Sequence, residues 1–195
     1  MSFRIFVWGV GRGVWGVVVL VLLGCQTAVF SPPPPSATPA PLKMLQYNNE
    51  AAFDLLYPEG WTYYLPRPGM LLFGEEKTIN QAQPGAMMTI LRVEPSAVHG
   101  NAEGELNHFL DFGPKRDGYA LDGERKAVEI NGRSALVQHL RFPGEGENIP
   151  MTATVVVAET SGGAVYIFAS TAPTDVWEAN AAKFDVMVSS VSFHE

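Results

Sequence analysis

The sequence predicts an α+β domain in which helices pack on an antiparallel β-sheet. From about residue 43 onward, short apolar stretches that alternate with polar residues are separated by turn residues. Asn131-Gly132 lies between two such stretches, a pattern typical of a tight β-hairpin. Two further segments, 101–115 and 173–193, carry apolar residues at helical spacing instead. Strands and helices together indicate a layered sheet-and-helix fold.

Composition limits the classes of function. The chain has 195 residues, of which 47% are hydrophobic and 17% are charged, enough for one globular domain with additional segments. Its formal net charge is −7, and residues 1–24 contribute two arginines and no acid, so the remainder carries −9. No cluster of basic residues is present in the sequence to neutralise phosphates. We therefore expect no nucleic-acid partner.

The first 25 residues have the organisation of an export signal. Arg4 and Arg12 precede the apolar run VWGVVVLVLL, and LLGC follows, with Gly24 next to Cys25, the only cysteine. This segment resembles the signal of bacterial lipoproteins. The resemblance implies cleavage between Gly24 and Cys25, and lipidation of Cys25 by a diacylglyceryl thioether and an N-linked acyl chain such as palmitate. The alternative is an uncleaved anchor, because residues 13–30 carry no charge. Both interpretations place the remaining chain outside the cytoplasm of a bacterial cell, attached to a membrane.

A proline-rich segment follows the lipidation site. Residues 31–41 read SPPPPSATPAP. This composition favours the polyproline II conformation and offers no large apolar side chains to pack in a core. At about 3.1 Å per residue this stalk would span roughly 30 Å. The predicted organisation is a signal peptide over 1–24, a lipidated stalk over 25–43 and a folded domain over 44–195.

The strands are predicted in chain order. AAFDLLYP and GWTYYLP alternate and are rich in aromatic residues, and AMMTILRVEP is typical of a buried strand. RKAVEI and RSALVQHLRF flank the Asn131-Gly132 turn, and MTATVVVAE and AVYIFAST flank a longer turn. We expect at least five strands, with the last four in an antiparallel meander.

Two helices are predicted. Asn101 is expected to cap the first, with Leu106, Phe109 and Leu110 on one face. Thr174 is expected to cap the second. The residues that form the apolar stripe of that helix are Trp177, Ala181, Phe184, Val188 and Val191. Its last turn, VSSVSF, is alternatively extended.

This order of elements resembles a known family. FDLLYPEGW (53–61), a middle helix, a long hairpin, AVYIFAST and the final KFDVMVSSVSF are similar to the PsbP-like family, the extrinsic subunit of photosystem II and its bacterial relatives. The resemblance covers about residues 44–193. It implies an α/β/α sandwich, shared with a small Ran-binding nuclear import factor, and a non-enzymatic role as binding or assembly partner of membrane complexes. Nothing in the sequence indicates a photosystem as the partner.

The search for chemistry predicts neither an enzyme nor a cofactor. His99, His108, His139 and His194 form no HxxxH or HxH pair, so no metal site is expected. Asp117, Asp122 and Glu124 lack the spacing of a calcium loop. No GxSxG motif and no glycine-rich loop before a helix occur. We expect no catalytic residue.

Two stretches are candidates for a binding surface. WTYYLPRPG contributes Trp61, Tyr63, Tyr64 and Arg67, and because strand side chains alternate, Tyr64 must face opposite to Trp61 and Tyr63. The alternative is that these aromatic side chains pack in the core. Gln138 lies among apolar neighbours of its strand, where it either satisfies a backbone group or lines a small cavity.

Two functions from different classes remain open. The first is a membrane-tethered, non-enzymatic module that binds or assembles another envelope or membrane protein of unknown identity. The second is a carrier or sensor that holds a small apolar ligand between sheet and helix. The carrier requires an enclosed apolar cavity of roughly 300 Å³ or more with a few polar groups.

Overall fold

Eleven strands and three helices make up the part of the chain described by the computed structural model, namely residues 41–49, 52–81, 83–112, 118–143 and 149–194. The signal peptide, Cys25 and most of the stalk lie outside these residues, as does Asp117. The strands are β1 (Met44–Asn49), β2 (Phe53–Pro58), β3 (Trp61–Arg67), β4 (Met70–Glu75), β5 (Met87–Val93), β6 (Ala120–Leu121), β7 (Lys126–Ile130), β8 (Arg133–Pro143), β9 (Pro150–Glu159), β10 (Val165–Pro173) and β11 (Ser192–Phe193). The helices are α1 (Glu76–Gln81), α2 (Ala102–Phe112) and α3 (Trp177–Ser189).

The larger sheet has eight strands in the order β3-β4-β5-β10-β9-β8, with β6 and β7 both paired to β8. Every neighbouring pair in it is antiparallel. Consecutive strands β7 to β10 form the predicted meander. Strand β5, which is the strand predicted from AMMTILRVEP, pairs with the other side of β10. The predicted antiparallel α+β architecture is confirmed.

The turn between β7 and β8 has the backbone that its sequence predicts. Asn131 has a φ of +46° and Gly132 a φ of +79°, and Ile130 pairs with Arg133 across the two-residue loop. Two successive left-handed residues match the twist of the flanking strands, which explains the Asn-Gly sequence.

A second, three-stranded sheet was not predicted. It has the order β1-β2-β11, so β2 lies between the first strand of the fold and the last. Neither β1, β4 nor the short helix α1 was predicted from the sequence. This small sheet and α3 cover the same face of the large sheet.

Alternation along the strands divides the apolar residues into two cores. One core joins the large sheet to α3 and the small sheet, through residues that include Phe53, Leu55, Phe73, Met88, Phe168, Phe184 and Met187. The other lies under α2 and includes Leu106, Leu110, Leu140, Val155, Val157 and Ile167. In β9, for example, Val156 belongs to the first core and its neighbours to the second. The result is a sandwich with helices on both faces of the sheet.

One of the two predicted helix caps is correct. The side-chain oxygen of Asn101 accepts a hydrogen bond of 2.9 Å from the Gly104 amide at the start of α2. The prediction for Thr174 is wrong, because a 3-10 turn over 174–176 precedes α3, and the Thr174 hydroxyl lies 3.0 Å from that of Thr152 instead. Of the predicted apolar stripe, Trp177, Phe184 and Val188 pack on the first core from α3. Val191 joins the same core from the chain just after the helix.

The segment VSSVSF at the end of α3 is partly extended, which is the alternative that its sequence left open. The helix continues to Ser189, and only Ser192–Phe193 are extended, as β11. Across the described ranges, no helix combines the length and the hydropathy that crossing a lipid bilayer requires.

Candidate functional site

An aromatic and apolar surface lies on β3, an edge strand of the large sheet. Tyr63, Tyr64 and Leu65 are consecutive, and their exposed fractions are 45%, 53% and 55%. Within the described residues, no strand pairs with the outer side of β3. A run of three large exposed side chains on an edge strand is uncommon, because such edges invite pairing with other chains.

The pairing of β3 with β4 determines which way each aromatic side chain faces. Tyr63 pairs with Phe73, whereas Tyr64 pairs with Leu72, so the two tyrosines lie on opposite faces of the sheet as predicted. The Tyr63 ring centroid is 5.1 Å from that of Tyr47 and 5.7 Å from that of Phe73. Tyr63 is thus held by a ring cluster while part of it faces solvent.

The strand becomes irregular after Tyr64. The register with β4 shifts between Tyr64 and Arg67, a segment that contains Pro66. Proline has no amide hydrogen to donate, so it limits how far another strand could extend along this edge. Arg67 is exposed at the end of the irregular segment.

Trp61 does not belong to this exposed surface. It is buried, with its ring centroid 5.7 Å from that of Phe184, and the Lys183 ammonium lies 5.9 Å above its ring. The core-packing alternative is therefore correct for Trp61. Alternation alone could not separate Trp61 from Tyr63, because both side chains lie on one face and only the covering helix α3 distinguishes them.

Gln138 is also buried rather than part of a binding surface. Its exposed fraction is 2%, and its amide nitrogen donates to the backbone carbonyls of Gly123 and His139 at 3.2 and 3.1 Å. The side chain ties the loop after β6 to β8. Of the five residues predicted for a surface, the structure keeps Tyr63, Tyr64 and Arg67 exposed and adds Leu65.

A cleft of about 430 Å³ lies between α3 and the large sheet. Its apolar lining includes Ile130, Val137, Val156, Trp177, Phe184 and Val188. Its polar groups include His139 and Thr154, whose ring nitrogen Nδ1 and hydroxyl lie 2.7 Å apart. The cleft reaches Val128, which is exposed, so it opens to solvent and differs from the enclosed cavity that the carrier hypothesis requires.

Tyr166 is a buried titratable group in the first core. Burial raises the pKa of Tyr166, and the Arg92 guanidinium opposes that shift. The Arg92 side chain also forms an ion pair of 2.6 Å with Glu94.

Two histidines meet a buried carboxylate at the start of α2. The rings of His99 and His108 stack with centroids 3.5 Å apart, and Glu105 lies beside them with an exposed fraction of 3%. The nitrogen and oxygen atoms of the three side chains that could ligate a metal lie within 4.8 Å of one another. The spacing rules for histidine pairs missed this cluster. The signal that could have found it is Glu105-x-x-His108 on one helix face, with His99 just before the cap.

The architecture defines the class of this protein: it is an α+β sandwich with the PsbP-like fold. Among solved structures it is similar to cyanobacterial PsbP (CyanoP) from Synechocystis, with 16% identity over 79% of this chain and 94% of that chain, at a TM-score of 0.57. It is also similar to the Ran-binding protein Mog1p of Saccharomyces cerevisiae, with 8% identity over 80% of this chain and 97% of that chain, at a TM-score of 0.54. No protein-family model and no curated protein matches the chain. The likeness is one of fold.

Proposed function

We propose that this protein is a non-enzymatic interaction module, held outside the cytoplasm by lipid on Cys25, which binds an envelope or membrane protein through the edge of β3. The observation that carries the proposal is the exposed run Tyr63-Tyr64-Leu65 on an edge strand. Large apolar side chains at such an edge cost solubility, so an exported protein keeps them where a partner covers them.

The chemistry of the edge indicates the kind of partner. The backbone groups on the outer side of β3, with which no described strand pairs, can pair with an extended segment, and the side chains on both faces offer apolar contacts to it. Tyrosine supplies a large contact area with little conformational entropy to lose. Because Pro66 and the register shift follow Tyr64, such a segment would pair mainly along residues 61–64. We therefore propose an extended apolar segment of another protein as the ligand. The Ran-binding description of Mog1p supports the proposal only in that a protein of this fold can carry a protein-binding surface.

The membrane attachment rests on the sequence. The charged start, the apolar run and Gly24-Cys25 support lipidation, and the proline-rich stalk would then hold the domain away from the bilayer. Mass analysis of the purified native protein tests this directly. We expect a chain that begins at acylated Cys25, and an intact N-terminal methionine with a free thiol would contradict it.

Site-specific crosslinking tests the binding surface. A photoreactive amino acid at Tyr64 in the tethered protein should give one discrete adduct in intact cells. Leu65→Lys should reduce that adduct strongly, because it places a charge in the contact. Leu121→Lys is the matched control, since Leu121 is exposed to a similar degree, 57%, on a strand at the opposite edge of the same sheet. No adduct, or equal loss with both lysine variants, would refute the proposal.

The cleft between α3 and the sheet supports a second candidate, binding of a small apolar ligand at a site open to solvent rather than in an enclosed carrier cavity. Its volume of about 430 Å³ is in the range of small-molecule sites. Its lining includes the apolar side chains of Ile130, Val137, Val156, Trp177, Phe184 and Val188. Native mass spectrometry of protein purified from membranes should then show a bound small molecule. Val137→Trp, which fills the cleft, should abolish that mass without affecting the Tyr64 crosslink. A lone protein mass in wild type would exclude this candidate.

A further inference from the structure

We propose that His99, Glu105 and His108 form a binding site for a divalent late first-row metal ion, of which zinc is the best match. The sequence led to the opposite expectation, and the proposal goes beyond the interaction function because it does not involve the edge of β3. It rests on the arrangement of these three side chains around the start of α2.

The helix fixes two of the three ligands. Glu105 and His108 are three residues apart on α2, so their side chains lie on one face of the helix. The Glu105 carboxylate is buried and accepts two hydrogen bonds of 2.9 Å through one oxygen, from the backbone amide and from the ring nitrogen Nδ1 of His99. A buried carboxylate needs cationic or hydrogen-bonding partners, and it cannot leave this position without losing both.

The loop before the helix brings the third ligand close. His99 precedes Gly100, whose φ is +87°, and the His99 carbonyl lies against α2 at Gly104. A Cβ at residue 104 would be 1.8 Å from that carbonyl oxygen, so only glycine permits the approach. The His99 ring can then stack on His108 at 3.5 Å while almost half of its side chain is exposed.

The geometry needs a small adjustment to hold an ion. Zinc bonds of about 2.0–2.1 Å place tetrahedral ligand atoms roughly 3.4 Å apart, and the three present here lie within 4.8 Å. Rotation of the exposed His99 ring can supply the difference, with the ion taking the place of the hydrogen between Nδ1 and the carboxylate, while the neutral ring carries its single N–H on Nε2 instead. Two imidazoles and one carboxylate are a ligand set that zinc uses when a fourth position stays open to water or to a partner's side chain.

The experiment uses the full-length protein in detergent, without a histidine tag and stripped of metal by a chelator. Competition with a chromophoric chelator should show one Zn²⁺ per chain, and Co²⁺ should give the visible absorption of a tetrahedral site with nitrogen and oxygen ligands. Glu105→Gln and His108→Ala should each weaken Zn²⁺ affinity about tenfold or more. Removing a residue that only hydrogen-bonds to a metal ligand already costs about tenfold, and these two residues are proposed to bind the ion directly.

His194→Ala is the matched control. His194 also pairs with a carboxylate, that of Asp54, at 3.1 Å, so it tests whether any histidine–carboxylate pair is sufficient. We expect Zn²⁺ affinity to be unchanged in this variant. Absence of binding by the wild type, an unchanged affinity in His108→Ala, or an equal loss in His194→Ala would overturn the proposal. His108 is only half-buried, whereas Glu105 is buried, so the alanine variant of His108 should fold even if Glu105→Gln does not.

Discussion

Replacing Phe184 by alanine should cost about 3–4 kcal/mol of unfolding free energy. Phe184 is buried on α3, with its ring centroid 5.7 Å from that of Trp61 and 5.5 Å from that of Trp177. Phe→Ala changes in cores cost about 3–5 kcal/mol through lost transfer energy and the cavity left behind. Because one side of Phe184 lines the open cleft, water can fill part of the space, which places the estimate in the lower half of that range.

Urea unfolding followed by far-ultraviolet circular dichroism measures this cost. Tryptophan fluorescence is unsuitable because Trp61 and Trp177 both contact the changed residue. For a domain of this size the loss corresponds to a fall of about 10 °C in Tm. Phe112→Ala is the control, since Phe112 is 75% exposed on α2 and its loss should change stability by less than about 0.5 kcal/mol. Equal effects of the two substitutions would refute the assignment of α3 as the cover of the first core.

Three further substitutions have defined outcomes. Gly132→Ala should lower the unfolding free energy by about 1–2 kcal/mol in urea titrations, because a φ of +79° is costly for any residue with a Cβ. Gly104→Ala should accelerate amide hydrogen exchange at 98–101, because its Cβ displaces the His99 carbonyl, and unchanged exchange would contradict the close approach. Burial raises the pKa of Tyr166 above 10.0, so its contribution to stability is full below pH 10 and declines as the pH rises through the folded-state pKa. Tyr166→Phe should remove that decline from the profile of unfolding free energy against pH.

The sequence predicted the elements whose signals are local. The Asn131-Gly132 hairpin, the Asn101 cap and the alternation along β3 each depend on a few neighbouring residues, and the structure confirms all three. Thr174 failed as a cap because a partner distant in sequence, Thr152, holds its hydroxyl. Local rules cannot detect that competition.

The three-stranded sheet and the histidine cluster depend on contacts between distant segments. Strand β1 has a mostly exposed sequence without clear alternation, and it forms because β2 offers its edge. His99 and His108 are nine positions apart, and they meet only because Gly104 lets a loop lie on the helix. The sequence also could not predict which side chains of the candidate surface are exposed. Trp61 and Tyr63 share a face, and the position of α3 decides which one is covered.

The place of β11 has a consequence for biogenesis. Phe193 pairs with Phe53, and the His194 amide donates to the carbonyl of Ala52, so a segment made late in translation completes a sheet begun early. The ribosome must therefore release almost the whole domain before this sheet can close, and until then β2 keeps an open edge. Such distant pairing slows folding, because it requires contacts between residues that are far apart in the chain.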